Sequence, residues 1–293
     1  MNLESLQALL DRRVTAVRKD RSSRLMENPR RLLSSKLMEV LLRVVGRSYA
    51  IEGETFWGDK MHLVIPEAVS LAIYRYCFFD EATTMFFLNH VKPGITVFDV
   101  GAHFGYFTLL ASHLVGQGGA VHSFEPTPGS YSLLKRNAGT RTNVRLNHLA
   151  VDASPGTLEF LDYGPRFSAF NSLGGPRLSE KDMAHLRPRK IQVPAVSLDE
   201  YALGRYRPGF VKIDVEGAEF RILSGMERLI ASCRPAIALE VGDFDVPGVP
   251  PSLDVIRFLL DRGYDAFEYN DGKIVRHNLR ANYPFGNLLL LPK

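Results

Sequence analysis

The chain predicts an α/β protein built on a mostly parallel sheet. Two observations carry this. From Thr96 onward, short apolar runs alternate with amphipathic segments, which is the signature of β-α units. The chain then closes on a hairpin signal followed by one more apolar run, which predicts an antiparallel final strand.

The elements follow in order. Leu3, Leu6, Leu10 and Val14 stand at helical spacing in a basic segment. Residues 1–50 hold 11 Lys or Arg against 5 Asp or Glu, a net +6, and leave the rest of the chain near −2. They are expected to form a basic helical N-terminal arm, either a solvated arm or one that meets an anionic partner or membrane surface. Residues 51–92 form a small strand/helix subdomain, with a strand in GDKMHLVIP and one helical stretch in SLAIYRYCFFDEATTMFFLNH. The sheet domain spans 93–293. Its strands are TVFDV, AVHSFE, VRLNHLAV, FVKIDV and AIALEV. Its helices follow Gly105 and run through SYSLLKRNA, GAEFRILSGMERLIAS and SLDVIRFLLDRG.

An insertion at 152–196 interrupts the alternation with a turn, the strand TLEFLDY, a Gly/Pro/Arg-rich stretch and the strand IQVPAV. Long insertions of this kind act as lids or binding loops. YDAFEYN, Asp271-Gly272, KIVRH and NLLLLP finish the chain as a hairpin and a last strand.

Composition narrows the function. The 293 residues are 45% apolar and 23% charged, as in an ordinary globular protein. A net charge of +4 is too small for a dedicated nucleic-acid binder, so no nucleic acid is expected. Cys77 and Cys233 cannot build a disulfide framework or a thiolate zinc site and fit a reducing compartment. The longest apolar candidate, LMEVLLRVVG, is broken by Glu39 and Arg43, so no membrane span is expected. With no signal-peptide pattern at the N-terminus, the expectation is a cytoplasmic protein.

The candidate site lies at the C-terminal ends of the strands, where open α/β sheets bind ligands. In TVFDVGAHFGYFT, Asp99 ends a strand, and Gly101 and Gly105 shape the turn into a helix. His103 occupies the place of the middle fingerprint glycine, so the dinucleotide pattern G-x-G-x-x-G is absent. A carboxylate two residues before the first glycine suits a ligand bearing an ammonium group. Glu125 follows Gly101 by 24 residues at the end of the next strand, where a carboxylate can accept both hydroxyl hydrogens of a ribose. Asp214, Glu216 and Glu219 cluster at a third strand end in FVKIDVEGAE. Glu219 is accounted for by the helix dipole, and Asp214 is not.

Together VFDVGAHFGYFT, SFEP and KIDVEGAE resemble the FkbM family of S-adenosylmethionine-dependent methyltransferases. IPEAVSLAIYRYCFFDEATT, VSLDEY and the terminal N-x-L-x-L-P add to the resemblance, which covers roughly residues 60–293. It implies a Rossmann-like, seven-stranded class I methyltransferase sheet of order 3-2-1-4-5-7-6 with an antiparallel last strand. It also implies S-adenosylmethionine as cofactor. Asp99, Gly101, Ala102, His103 and Gly105 would wrap its methionine part, with Tyr106, Phe107 and Thr108 nearby. Glu125 and Pro126 would hold the ribose, Val151 and Asp152 would flank the adenine, and Asp214 would face the reaction. The family usually has Asn where this chain has His103. That change is a simple substitution in a turn, or else supplies a hydrogen bond or a base.

Methyl transfer to a hydroxyl needs a positioned acceptor and a group to take its proton. The candidates are His103, Asp214, Glu216 and Glu240. Asp214 and Glu240 could also hold a divalent metal, or be structural; a metal is not favoured. Phe167, Phe170 and Asn171 in the insertion could contact a sugar or polyketide-type acceptor, while Arg166, Arg177, Arg187 and Arg189 would suit an anionic group on it. The alternatives are a nicotinamide-dependent oxidoreductase and a non-catalytic binding module with a vestigial cofactor fold. The acceptor is expected to be a small molecule or glycan, and the sequence leaves a homodimer open.

Overall fold

The computed structural model describes every residue except 1–2, 19–28, 165, 169–187, 216 and 244–247. The central sheet grows from five apolar runs, β3 (Thr96–Val100), β4 (Ala120–Phe124), β5 (Val144–Asn147), β9 (Pro208–Ile213) and β10 (Ala236–Val241), all parallel. Buried on both faces, β3, β4, β9 and β10 need no polar alternation, while β5 at the sheet edge is only partly buried. Val97, Phe210 and Ala238 point to one core, and Phe98, Val211 and Ile237 to the other.

The chain ends in three antiparallel strands, β11 (Tyr264–Asn270), β12 (Lys273–Arg276) and β13 (Gly286–Pro292). Asp271 and Gly272 both take positive φ, 46° and 84°, as a two-residue hairpin turn requires. β13 inserts between β10 and β11, giving the order β12-β11-β13-β10-β9-β3-β4-β5. The sheet therefore has eight strands where seven were expected, because KIVRH pairs onto β11 as a further edge strand.

Two smaller sheets flank it. β1 (Tyr49–Glu54) and β2 (Lys60–Ile65) form an antiparallel pair. β7 (Gly156–Asp162) and β8 (Arg189–Val196) of the insertion form a three-stranded sheet with β6 (Ala150–Val151), which precedes it. VRLNHLAV is thus two strands: β5 stays in the main sheet, and β6 leaves it to pair with β8.

On one face lie α1 (Leu3–Arg18), α4 (Glu81–His90), α5 (Tyr106–Val115) and α6 (Pro128–Ala138). Leu6, Leu10 and Val14 of α1 are buried in this core, each worth about 1.5–3 kcal/mol of transfer free energy. α2 (Pro29–Val44) packs on α3 (Ala68–Tyr76) and β2. The other face carries α7 (Leu198–Ala202), α8 (Glu219–Ser224), α9 (Glu227–Cys233) and α10 (Ser252–Leu260).

Two stretches expected as single helices are broken. SLAIYRYCFFDEATTMFFLNH divides into α3 and α4, because Cys77 ends α3 in the left-handed region at φ 67° and Asp80, at φ 45°, starts α4 as its N-cap. GAEFRILSGMERLIAS divides into α8 and α9 at Gly225, where a β-carbon would stand 2.3 Å from the Asp152 carbonyl oxygen. Among the described residues, no helix is long and apolar enough to cross a membrane.

Candidate active site

A cavity of about 760 Å³ opens at the C-terminal ends of β3, β4, β9 and β10. Its floor is the turn after β3. The amides of Gly101 and Ala102 donate to the carbonyl of Phe124 at 3.1 and 3.0 Å, and the Asp214 amide donates to the Val100 carbonyl at 3.2 Å. Gly101, at φ 75°, passes so close to β9 that a β-carbon would lie 1.8 Å from the Asp214 carbonyl oxygen. Only glycine fits there.

Lys212 is the centre of the site's electrostatics, and sequence reasoning missed it. Its ammonium, 3% exposed, donates to the Gly101 carbonyl at 3.0 Å and lies 3.2 Å from Asp214 Oδ2 and 3.5 Å from Asp99 Oδ1. Burial works against this charge, yet Asp214 and Asp99 hold the lysine pKa above its usual value. A lysine inside the otherwise apolar run FVKI was the signal available in the sequence. The cation that meets Asp214 is this ammonium.

Asp99 lies beneath the cavity, fully buried, and accepts from Thr108 Oγ1 at 2.6 Å. Thr108 also bonds Ser123 Oγ at 2.8 Å. Neither Asp99 nor Thr108 is on the cavity wall, and Gly105 is not either. Gly101, Ala102, His103, Tyr106 and Phe107 are on it.

Glu125 reaches the wall from the end of β4. Its Oε2 accepts from the His103 amide at 2.9 Å, and its Oε1 accepts from the Thr127 amide at 3.0 Å and hydroxyl at 2.6 Å. Three donors leave about one of a carboxylate's four acceptor sites for a ligand. Burial pushes the Glu125 pKa up to about 7, against these hydrogen bonds. His103 takes φ 51°, stacks on Phe104 at 3.8 Å and shares a 2.7 Å hydrogen bond between Nε2 and Ser168 Oγ. Burial lowers its pKa to about 3, so its ring is neutral at physiological pH and a weak base.

Pro126, Val151, Asp214 and Glu240 also line the cavity. Asp214 keeps 30% of its side chain exposed. Asp80, unremarked in the sequence, joins them. It accepts from the Thr83 amide at 3.2 Å and from Asn287 Nδ2 at 2.9 Å, and burial, together with the charge of Asp214, raises its pKa. Asn287, on the last strand and 207 residues away, could not be foreseen beside it.

Asp152 and Phe167 do not reach the wall. Asp152 is held bidentately by Arg221 at 2.6 and 2.5 Å; burial opposes its charge, but this pair keeps its pKa below the usual aspartate value. Phe167 lies under the Arg166 guanidinium. Glu219, buried at the start of α8, accepts from the Gly217 amide at 3.0 Å. Glu216, Phe170, Asn171, Arg177 and Arg187 fall outside the described residues.

The fold and the site together define a class I methyltransferase-like α/β protein: parallel strands, a glycine turn after the first of them, and a carboxylate at the end of the second. Residues 99–266 match the model of the methyltransferase FkbM domain, and the chain belongs to that family. It is 32% identical over 199 residues to the 31-O-demethyl-FK506 methyltransferase FkbM of Streptomyces tacrolimicus, covering 59% of this chain and 75% of that protein. It is 23% identical over 219 residues to the methyltransferase sdnD of Sordaria araneosa, covering 66% and 81%. Among solved structures it is similar to a methyltransferase FkbM from Methylobacillus flagellatus, with 13% identity and a TM-score of 0.42 over 75% of this chain and 52% of that one.

Proposed function

We propose that the protein transfers a methyl group from S-adenosylmethionine to a hydroxyl of a polyketide-type small molecule or a sugar. The observation that carries the cofactor is Glu125, a buried carboxylate on the cavity wall with acceptor capacity left after three hydrogen bonds. These residues fit the group. Gly101 and Ala102 bring the backbone of the turn to the cavity wall, and Glu125 accepts a ribose hydroxyl. Phe124, Leu149 and Val151 offer apolar wall to a base. Asp80, Asp214 and Glu240 make the adjoining wall acidic, as a positively charged ligand requires.

S-adenosylmethionine supplies an already activated methyl group; the chain must orient the acceptor, exclude water and take its proton. Asp80 is our candidate for the proton acceptor. Its raised pKa makes it a better base than an ordinary aspartate, whereas Lys212 compensates the charge of Asp214. We assign His103 to positioning: its neutral ring holds Ser168, and its amide holds Glu125. The aromatic wall of Phe79, Tyr106, Phe107 and Phe285 suits an apolar acceptor body, and Asn287 a polar group on it. The O-methylation reading is in keeping with the name of the relative that acts on 31-O-demethyl-FK506.

Calorimetry tests the cofactor. S-adenosylhomocysteine should bind with one site per chain and NADH should not; the reverse result would return the nicotinamide alternative. Bound cofactor without methyl transfer to any hydroxyl would favour the non-catalytic module.

A further inference from the structure

α2 is amphipathic in the reverse sense. A surface helix ordinarily buries its apolar stripe and shows its polar side to water. Here the side facing the protein is polar: Ser35 and Glu39 are buried against Arg75 of α3, which donates Nε to Ser35 Oγ at 2.9 Å and pairs with Glu39 Oε2 at 2.6 Å. Lys36 and Arg43 reach the same carboxylate at 3.3 and 2.9 Å. The opposite side carries Leu33, Leu37, Val40, Leu41 and Val44 at helical spacing, all exposed, with Leu37 at 70% and Val44 at 80%. Val45 extends the stripe past the helix end. A contiguous exposed apolar stripe marks an interaction surface.

Charge selects the occupant. Arg30 and Arg47 are exposed beside the stripe, and Lys36 and Arg43, though paired with Glu39, are exposed along its edge. The one acidic residue between 29 and 50, Glu39, is buried and paired. A second copy of the chain docked here would set these cations against themselves, with no exposed carboxylate of the segment to answer them. An anionic bilayer surface satisfies both halves of the pattern: the leucines and valines enter the boundary between headgroups and acyl chains, and Arg30 and Arg47 meet lipid phosphates. The 16 residues of α2 make a rod about 24 Å long, enough to lie flat in that boundary.

We propose that α2 docks the protein on an anionic lipid surface through this stripe. The docked helix adjoins the site, because Arg166 NH2 donates to the Arg43 carbonyl at 3.3 Å and Ser168, two residues on, bonds His103 in the cavity wall. The proposal does not depend on which acceptor is methylated.

Sedimentation of the full chain with vesicles tests it. The protein should pellet with vesicles in which about one third of the phosphatidylcholine is replaced by phosphatidylglycerol, and not with phosphatidylcholine alone. Leu37→Ser combined with Val44→Ser should weaken binding at least about tenfold without changing the melting temperature, since both side chains are exposed. Arg30→Gln combined with Arg47→Gln should weaken it roughly 25-fold, about fivefold for each charge, with high salt acting in the same direction. Failure of the wild-type chain to bind anionic vesicles at low salt overturns the proposal. So does equal binding by the Leu37→Ser/Val44→Ser chain. A wild-type dimer in analytical ultracentrifugation that this double variant dissociates, with no vesicle binding, would instead give the face to a second copy.

Discussion

Lowering the pH from about 8 to about 6 should weaken S-adenosylhomocysteine binding about tenfold, and Glu125 is the reason. Burial places the Glu125 pKa near 7, above the usual glutamate value of 4.5. In the proposed complex a ribose hydroxyl would donate to the ionised carboxylate, so the ligand would select that form. The ionised fraction is about nine-tenths at pH 8 and about one-tenth at pH 6, a difference worth about 1.4 kcal/mol of apparent binding free energy. His103, with a pKa of about 3, is silent across this window. Asp80 also has a raised pKa, and the Glu125→Gln variant separates the two. That variant should bind roughly 1–3 kcal/mol more weakly at pH 8 and lose most of the pH dependence. Stability of the unliganded chain provides the matching sign. A carboxyl whose folded pKa is raised contributes no penalty below about pH 4.5 and its full penalty above about pH 7. The wild type should therefore lose about 3 kcal/mol relative to Glu125→Gln as the pH rises through that range. Calorimetric titrations at both pH values measure the first effect, and denaturant unfolding the second. Wild-type affinity independent of pH between about 6 and 8, or an unchanged slope in Glu125→Gln, would refute the reasoning.

Three other perturbations are read as directly. Lys212→Met should cost about 3–5 kcal/mol in denaturant unfolding, because Asp99 is left buried with its charge uncompensated; a loss under about 1 kcal/mol would contradict the buried pair. Asp80→Asn should lower kcat by about 10²–10⁴ and leave S-adenosylhomocysteine affinity within about twofold, and an unchanged kcat would move the proton elsewhere. Gly101→Ala forces a β-carbon to within 1.8 Å of the Asp214 carbonyl oxygen, so it should destabilise the chain by about 2–4 kcal/mol and abolish cofactor binding. A melting temperature equal to the wild type's would show that the turn relaxes.

The strands of the sheet were legible for a physical reason. Runs such as TVFDV and AIALEV are buried on both faces and carry continuous apolar character, so they coincide with β3 and β10. The glycine turn and Glu125 were legible because their chemistry is local to one strand end. What escaped is long-range or backbone-specific. The split of VRLNHLAV depends on β8, more than forty residues downstream of β6. The break between α3 and α4 lies in the left-handed conformation of Cys77, a residue without turn chemistry of its own. Asp80 and Asn287 meet only because β13 returns between β10 and β11. Lys212 was hidden differently: a charge in a buried strand is tolerated only with partners, and while Asp214 follows it on the same strand end, Asp99 faces it from the neighbouring strand β3. The β1 strand carries exposed residues and no clean alternation, so nothing in YAIEGE separates it from a loop.

The central claim is transfer of a methyl group to oxygen. S-adenosylmethionine carrying a ¹³C methyl, incubated with the protein and with hydroxylated polyketides and glycans, tests it in one spectrum. A new ¹³C methoxy resonance should appear on an acceptor with the wild type and be lost in Asp80→Asn. Label found on nitrogen or carbon, or a wild-type chain that does not bind the methyl donor at all, would contradict it.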